Sequence, residues 1–275
     1  MINGKFGQSG SSFLLLQGDG QKKVLQIRKT SDNPRFRHQF KKHETALKTS
    51  SMYPLLVPKI RQSFKNDSYT MDYLDSENLG EYLVKKETNL VRGVILQYLN
   101  RIIEIEDFLT EKHKIALIEY LKRKIKENHD LGYVDNAILK IYGSKYSELI
   151  MDSKIPKGWN HGDFSFENIL ISRESEEVYV IDFLDSPVET PLIDLGRLYL
   201  DLSLGWWNSS NRINEFSDQV LLLKASTESI VTENKIDLKV LNLFSFLAVL
   251  RVMPYTKSPI RLGYLKSYFH DKMDL

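Results

Sequence analysis

Two hydrophobic rhythms divide this chain. Up to about residue 75 the apolar residues come in short runs bounded by turn residues: Phe13-Leu14-Leu15-Leu16, Val24-Leu25-Gln26-Ile27, Ile60 to Phe64, and Tyr69 to Tyr73. Gly18-Asp19-Gly20 reads as a hairpin turn between the first two, and Asn66-Asp67 as the turn between the second two. Between these pairs Asn33-Pro34 is a helix-start signal, and Phe36, Phe40, His43 and Leu47 then recur at spacings of 4, 3 and 4. The pattern predicts a helix from Pro34 to about Thr49, ended by Pro54 and Pro58.

From Leu79 the period becomes helical. Val91, Ile95, Tyr98, Ile102, Ile105 and Leu109 form one stripe, Ile115, Ile118, Leu121 and Ile125 another, and further helical patterns cover about 192–204, 217–231 and 237–253. Strands first and helices afterwards give an α+β fold. The expected architecture is a small antiparallel β-sheet lobe with one helix, residues 1–75, on a larger, mostly helical lobe, residues 76–275. The boundary falls near Asp75-Ser76.

One strand-like interruption breaks the helical part. Ile169-Leu170-Ile171 and Val178-Tyr179-Val180-Ile181 flank the polar segment Ser172 to Glu177, which reads as a hairpin connection. Such a hairpin folds Asn168 back beside Asp182. Five residues before Asn168 stands Asp163, in His161-Gly162-Asp163. Phosphoryl transfer needs this set: one carboxylate to take the proton of an attacking hydroxyl, and an amide oxygen with a second carboxylate to hold Mg²⁺ on a nucleotide's phosphates. Asp163 is the candidate catalytic residue, Asn168 and Asp182 the candidate metal ligands.

Composition narrows the alternatives. With 42% hydrophobic and 27% charged residues the chain is ordinary globular material, and 275 residues suffice for a sizeable core. The absence of cysteine excludes disulfides, thiol nucleophiles and Cys-based zinc sites, and fits a cytoplasmic protein. Met1 to Gly10 is too polar for a signal peptide, and no apolar run is expected to reach the ~18 residues of a membrane span. Net charge is +2, but residues 21–50 hold nine Lys/Arg against two Asp/Glu. This excess is either a patch for anionic phosphates or a solvated helix face, and because most of it follows the Asn33-Pro34 helix start the solvated face is favoured for most of these charges. Nucleic-acid binding through residues 22–48 would show as steep salt dependence; no nucleic-acid partner is expected.

The string His161-Gly162-Asp163, then Asn168, then Ile181-Asp182-Phe183 resembles the aminoglycoside phosphotransferase and choline kinase superfamily, small-molecule relatives of protein kinases. Ile181 to Ser186 together with Pro191-Leu192-Ile193-Asp194-Leu195-Gly196 resembles members of surface-polysaccharide (capsule) gene clusters. The resemblance implies a bilobal protein-kinase-like fold and a structural role for His161, which supports the catalytic loop. It also implies a hinge at Met71-Asp72-Tyr73, whose backbone pairs with the purine of ATP or GTP. Asp194 reads as a structural carboxylate, at a helix start or bracing a loop.

A kinase-like N-terminal sheet should also contact phosphates. Ser11 and Ser12, in the Gly7 to Ser12 loop, offer hydroxyls and backbone amides, although a flexible terminus fits the same residues. Strand alternation offers Lys29 or Arg28 as the phosphate cation; the Lys29 face carries Leu25 and Ile27 for the base. Glu44, 15 residues on, is the candidate partner of that lysine.

Only 12 residues separate Asp182 from Asp194, too few for a protein-kinase activation segment, and Leu184 stands where that family has glycine. Small acceptors are therefore favoured over proteins. A sugar or polysaccharide precursor is implied by the resemblance alone. Choline, ethanolamine or an aminoglycoside are alternatives. Trp206-Trp207, Tyr199 and Tyr255 could cage a quaternary ammonium or simply pack the core. A kinase-shaped binding protein without turnover is the alternative of another class.

Overall fold

Alternation and turn chemistry in the first part of the chain produce a five-stranded antiparallel sheet. The computed structural model describes residues 2–3, 12–17, 23–28, 34–49, 53–62, 68–85, 89–104, 106–204 and 217–271. Strands β1 (Ile2–Asn3), β2 (Ser12–Gln17), β3 (Lys23–Arg28), β4 (Ile60–Gln62) and β5 (Ser68–Asp72) lie in the order β1-β2-β3-β5-β4. The two hairpin turns, Ser11, Lys29 and Trp206-Trp207 lie outside the described residues. Helix α1 spans Pro34–Thr49, the expected bounds, and crosses between β3 and β4. It buries His43 and Ala46, with Gln39 beside them. Tyr69 and Met71 of β5 form a small apolar cluster with Phe40, Ile60 and Ile181.

A second sheet starts immediately after the first ends. Strand β6 (Ser76–Asn78) pairs with β7 (Ile169–Ser172), which pairs with β8 (Val178–Val180). Ile169 faces Val180 and Ile171 faces Val178, so the polar connection is a hairpin. The linker after α1 is stitched to it: Leu56 N donates to Val178 O at 2.8 Å, and Val180 N to Leu56 O at 2.9 Å.

The rest is helical: α2 (Leu79–Lys85), α3 (Asn89–Ile103), α4 (Glu111–Asp130), α5 (Asn136–Asp152), α6 (Leu192–Leu204), α7 (Asp218–Glu233), α8 (Leu238–Val252) and α9 (Pro259–Asp271). Two expected details change. Leu109 lies beyond α3 and donates its N–H to Ile155 O at 2.9 Å. On α4 the buried stripe is Leu117, Leu121 and Ile125, whereas Ile115 is 46% exposed. The spacing 115, 118, 121, 125 drifts off the true face by a residue, because Leu117 lies one helical turn from Leu121.

Helices α6 and α8 form the centre of this body. Both are apolar on nearly every side, as buried helices must be. Gly196 makes their contact possible: a Cβ there would stand 2.4 Å from the Phe244 carbonyl carbon. Contrary to the sequence expectation, the window Leu238–Tyr255 is long and apolar enough to cross a membrane, with 18 residues at mean hydropathy 1.4. It is 61% buried inside the fold, and α6 packs along it, so it is a core helix here.

Candidate active site

The loop between α5 and β7 has an unusual number of its backbone groups claimed by buried side chains. Asp194, at the start of α6, accepts from His161 N at 2.6 Å and Gly162 N at 2.8 Å, and from Tyr98 OH at 3.4 Å. Burial pushes its pKa up to about 6, while those two backbone donors favour the carboxylate. Two turns on, Asp201 accepts from Phe166 N at 2.7 Å, and burial raises it to about 6 as well. Two carboxylates of one helix thus fix both flanks of Asp163.

His161 is completely buried. Its Nδ1 accepts from Asp163 N at 3.3 Å, which places the ring proton on Nε2, and its ring packs on Phe183 at 4.3 Å. Burial lowers its pKa to about 3, so the imidazole stays neutral.

Asp163 itself is partly open to solvent and held on both oxygens. Arg197 Nε donates to Oδ1 at 3.0 Å, and Asn168 Nδ2 to Oδ2 at 3.1 Å and to the Asp163 carbonyl at 2.9 Å. Arg197 Nη1 also donates to Asp201 Oδ1 at 2.5 Å. Burial disfavours the guanidinium charge, but Asp201 and Asp163 together hold it protonated, above the ordinary arginine range. Sequence reasoning did not pick out Arg197. The signal was present: Asp194, Arg197 and Asp201 recur at spacings of 3 and 4 on an otherwise apolar helix, and buried charges occur in pairs.

The hairpin brings the remaining pieces alongside. Ile181 N donates to Asn168 O at 3.1 Å, which sets Asp182 next to Asn168 across the β7–β8 pair. Asp182 has φ 61°, a left-handed conformation uncommon for a residue with a Cβ. The Tyr69 phenol is raised above its usual range by burial, with the Asp182 charge adding to it, which places β5 beside this carboxylate. Gly162 has φ +91°, and a Cβ there would fall 1.9 Å from Leu184 O, so only glycine lets the two segments touch.

Asn168 and Asp182 are hard oxygen donors. The Asn168 Nδ2 is engaged by Asp163, so the atom Asn168 would offer a metal is its Oδ1. Among the described residues no group of three or more His, Asp or Glu side chains could hold a metal by itself. That donor set fits Mg²⁺, which takes one or two protein oxygens and completes its shell with water and phosphates.

On the sheet side, Ser12 pairs with Arg28 at the β2–β3 ladder. Met71 and Asp72 sit inside β5, flanked by Leu25 and Val24 of β3, and Tyr73 is the first residue past the strand. Glu44 is an exposed residue of α1 whose Oε1 lies 3.5 Å from Lys48 Nζ. Tyr199 packs α6 on α7, donating to Glu228 Oε1 at 2.6 Å, and Tyr255 and Asp185 are exposed.

The sequence profile of the phosphotransferase enzyme family (APH) matches residues 5–219. No curated protein matches the chain. Solved structures superpose over nearly all of it. A glucosamine kinase gives a TM-score of 0.60 at 12% identity, over 92% of this chain and 75% of that one. An ethanolamine kinase from Plasmodium vivax gives 0.60 at 13%, over 96% and 82%. The gentamicin complex of APH(2")-IIa gives 0.58 at 16%, over 98% and 91%. At such identities the likeness is one of fold, the bilobal kinase-like α+β fold. The chain belongs to the phosphotransferase enzyme family. Family membership makes it a phosphotransferase.

Proposed function

We propose that this protein transfers the γ-phosphate of ATP or GTP to a hydroxyl of a sugar or polysaccharide precursor, with Asp163 as the base. The observation that carries this reading is the Asp163 carboxylate, fixed by Arg197 and Asn168 next to the hairpin that presents Asp182. Residues 1–75 serve as the nucleotide lobe and 76–275 as the catalytic and acceptor lobe; the change of sheet between Asp72 and Ser76 supports that division. Structures of related fold are complexes with glucosamine, ADP and inorganic phosphate, or with gentamicin, which supports a nucleotide donor and a small polyfunctional acceptor.

In this reading the acceptor hydroxyl donates a hydrogen bond to Asp163. As its oxygen forms a bond to the γ-phosphorus, the bond to the β–γ bridging oxygen breaks and the nucleoside diphosphate leaves. The hydroxyl proton passes late to Asp163, because an alcohol is too weak an acid to lose it in advance. Mg²⁺ held by Asn168 and Asp182 would neutralise charge on the phosphates. Lys29 is assigned to the α and β phosphates with Glu44 as its partner. The exposed Glu44–Lys48 pair is of the weak surface kind and does not tie Glu44 down. Met71-Asp72-Tyr73 is the hinge, Ser11 and Ser12 the phosphate loop, and the working compartment is the cytoplasm.

The test is a nucleotide-consumption screen against sugars, amino alcohols and aminoglycosides, with transfer to a sugar hydroxyl expected. Preferential transfer to an amino alcohol would replace the acceptor assignment. No transfer to any acceptor would favour a binding protein without turnover.

A further inference from the structure

Lys42 lies in the basic stretch that a sequence reader assigns to solvent, yet its side chain is only 9% exposed. Its Nζ donates to Asn160 Oδ1 at 2.9 Å, to Leu184 O at 2.8 Å and to Ser186 Oγ at 3.1 Å, with Glu189 Oε1 at 3.8 Å. These bonds use all three donors of the ammonium, and every partner lies more than a hundred residues along the chain. Withdrawing an ammonium from water is costly, so a lysine held this way must be answered by its partners.

The partners converge on the segment after Asp182. Leu184 donates its N–H to His161 O at 3.0 Å, its carbonyl abuts Gly162, and the same carbonyl receives Lys42. The neighbouring residue of α1, His43, packs its ring at a tilt against Phe183, centroids 4.9 Å apart. Two consecutive residues of α1 therefore grip two consecutive residues beyond Asp182. Asp182 itself has the left-handed φ of 61°, a conformation uncommon outside glycine that Asp tolerates better than most, and the two α1 contacts bear on the residues just past it.

We propose that Lys42 is a positioning residue: it latches α1 onto the Leu184–Ser186 segment and so holds the Asp182 carboxylate in register with Asp163 and Asn168. This rests on the reading of Asp182 as a metal ligand. Through the latch, the placement of α1 against the helical body sets the affinity of the metal site.

The experiment titrates MgCl₂ at fixed ATP and reads the thermal midpoint of the full chain. Lys42→Met is expected to raise the Mg²⁺ concentration for half-maximal stabilisation about tenfold, the scale seen when an outer-shell partner of a metal ligand is lost. Lys42→Arg, which keeps the charge, should shift it less. A purely structural lysine would lower the midpoint of the unliganded protein and leave Mg²⁺ half-saturation unmoved; that result overturns the latch. If Lys42→Met does not fold, Ser186→Ala decides: a few-fold rise supports the latch, as expected for one lost hydrogen bond, and the parent's half-saturation overturns it. Asp182→Asn separates the two readings. Should that variant keep the parent's Mg²⁺ dependence, the metal assignment itself falls and the latch with it.

Discussion

At the scale of single residues, burial decides which charges matter. His43 shows this in a form that pH can read. Its Nε2–H donates to Pro58 O at 2.9 Å, its ring meets Phe183 and Tyr69, and burial lowers its pKa to about 4 from an ordinary 6.5. The native state therefore binds the proton less readily than the unfolded chain. The neutral ring carries no penalty above pH 6.5; stability is lost as pH falls from there to about 4 and levels off below. His43→Phe removes this term. Urea unfolding at pH 7 and pH 4.5 should show the variant losing roughly 2–3 kcal/mol less than the parent between the two. Equal losses would mean that His43 is not buried neutral.

Residue chemistry was also where the sequence was most readable. Asp163, Asn168 and Asp182 stand out because their spacing surrounds a recognisable strand–turn–strand segment, and the folded chain brings Asn168 against Asp163 and beside Ile181. Arg197 and Lys42 escaped notice for opposite reasons. Arg197 sits on a helix so apolar that its charge looks incidental until Asp163 and Asp201 are seen on either side. Lys42 sits among Lys41, Arg37 and Lys48, and nothing local separates the one buried lysine from its neighbours. Its partners come from residues 160 to 189, a contact that only the tertiary fold creates.

Among the elements, the pairing of α6 with α8 constrains the site most. Helix α6 carries Asp194, Arg197 and Asp201 on one side and Gly196 on another, so a shift of α6 would move the groups that hold the loop around Asp163 together. Gly196→Ala places a Cβ 2.4 Å from the Phe244 carbonyl carbon and 2.6 Å from its Cβ, in contact with helix backbone that cannot simply rotate away. Overpacking of this kind should cost roughly 1–3 kcal/mol. Its signature is a lower urea midpoint at unchanged m-value. A midpoint equal to the parent's would show that the two helices stand further apart. Most helix positions were legible from periodicity, α1 closely so, but α5 and α9 were not among the predicted helices. The buried face of α4 was not legible, because Ile115 and Leu117 are both apolar and only packing chooses between them.

For the whole molecule, the change from strands to helices near residue 75 carried the fold class, and the family profile spans both parts. What composition could not supply is how the parts communicate. Links among the described residues include Leu56 on β8, Ile181 in the cluster of Tyr69 and Met71, His43 on Phe183, and Lys42 on the Leu184–Ser186 segment. Each ends within a few residues of Asp182, so the arrangement of the parts and the placement of this carboxylate are one problem. The apolar window Leu238–Tyr255 makes a related point. Its composition suits a membrane as well as a core, and the packing of α6 against it selects the core.

The central claim is that Asp163 is the base of a small-molecule kinase, and Asp163→Asn tests it most directly. Transfer of phosphate to the best acceptor is measured beside nucleotide-induced thermal stabilisation in parent and variant. Binding of the nucleotide depends on other groups and should survive. Turnover should fall by ~10²–10⁴, or about 3–5 kcal/mol of barrier, as acceptor orientation and the late proton acceptor are lost. Phosphate transfer at the parent's rate by Asp163→Asn would contradict the account.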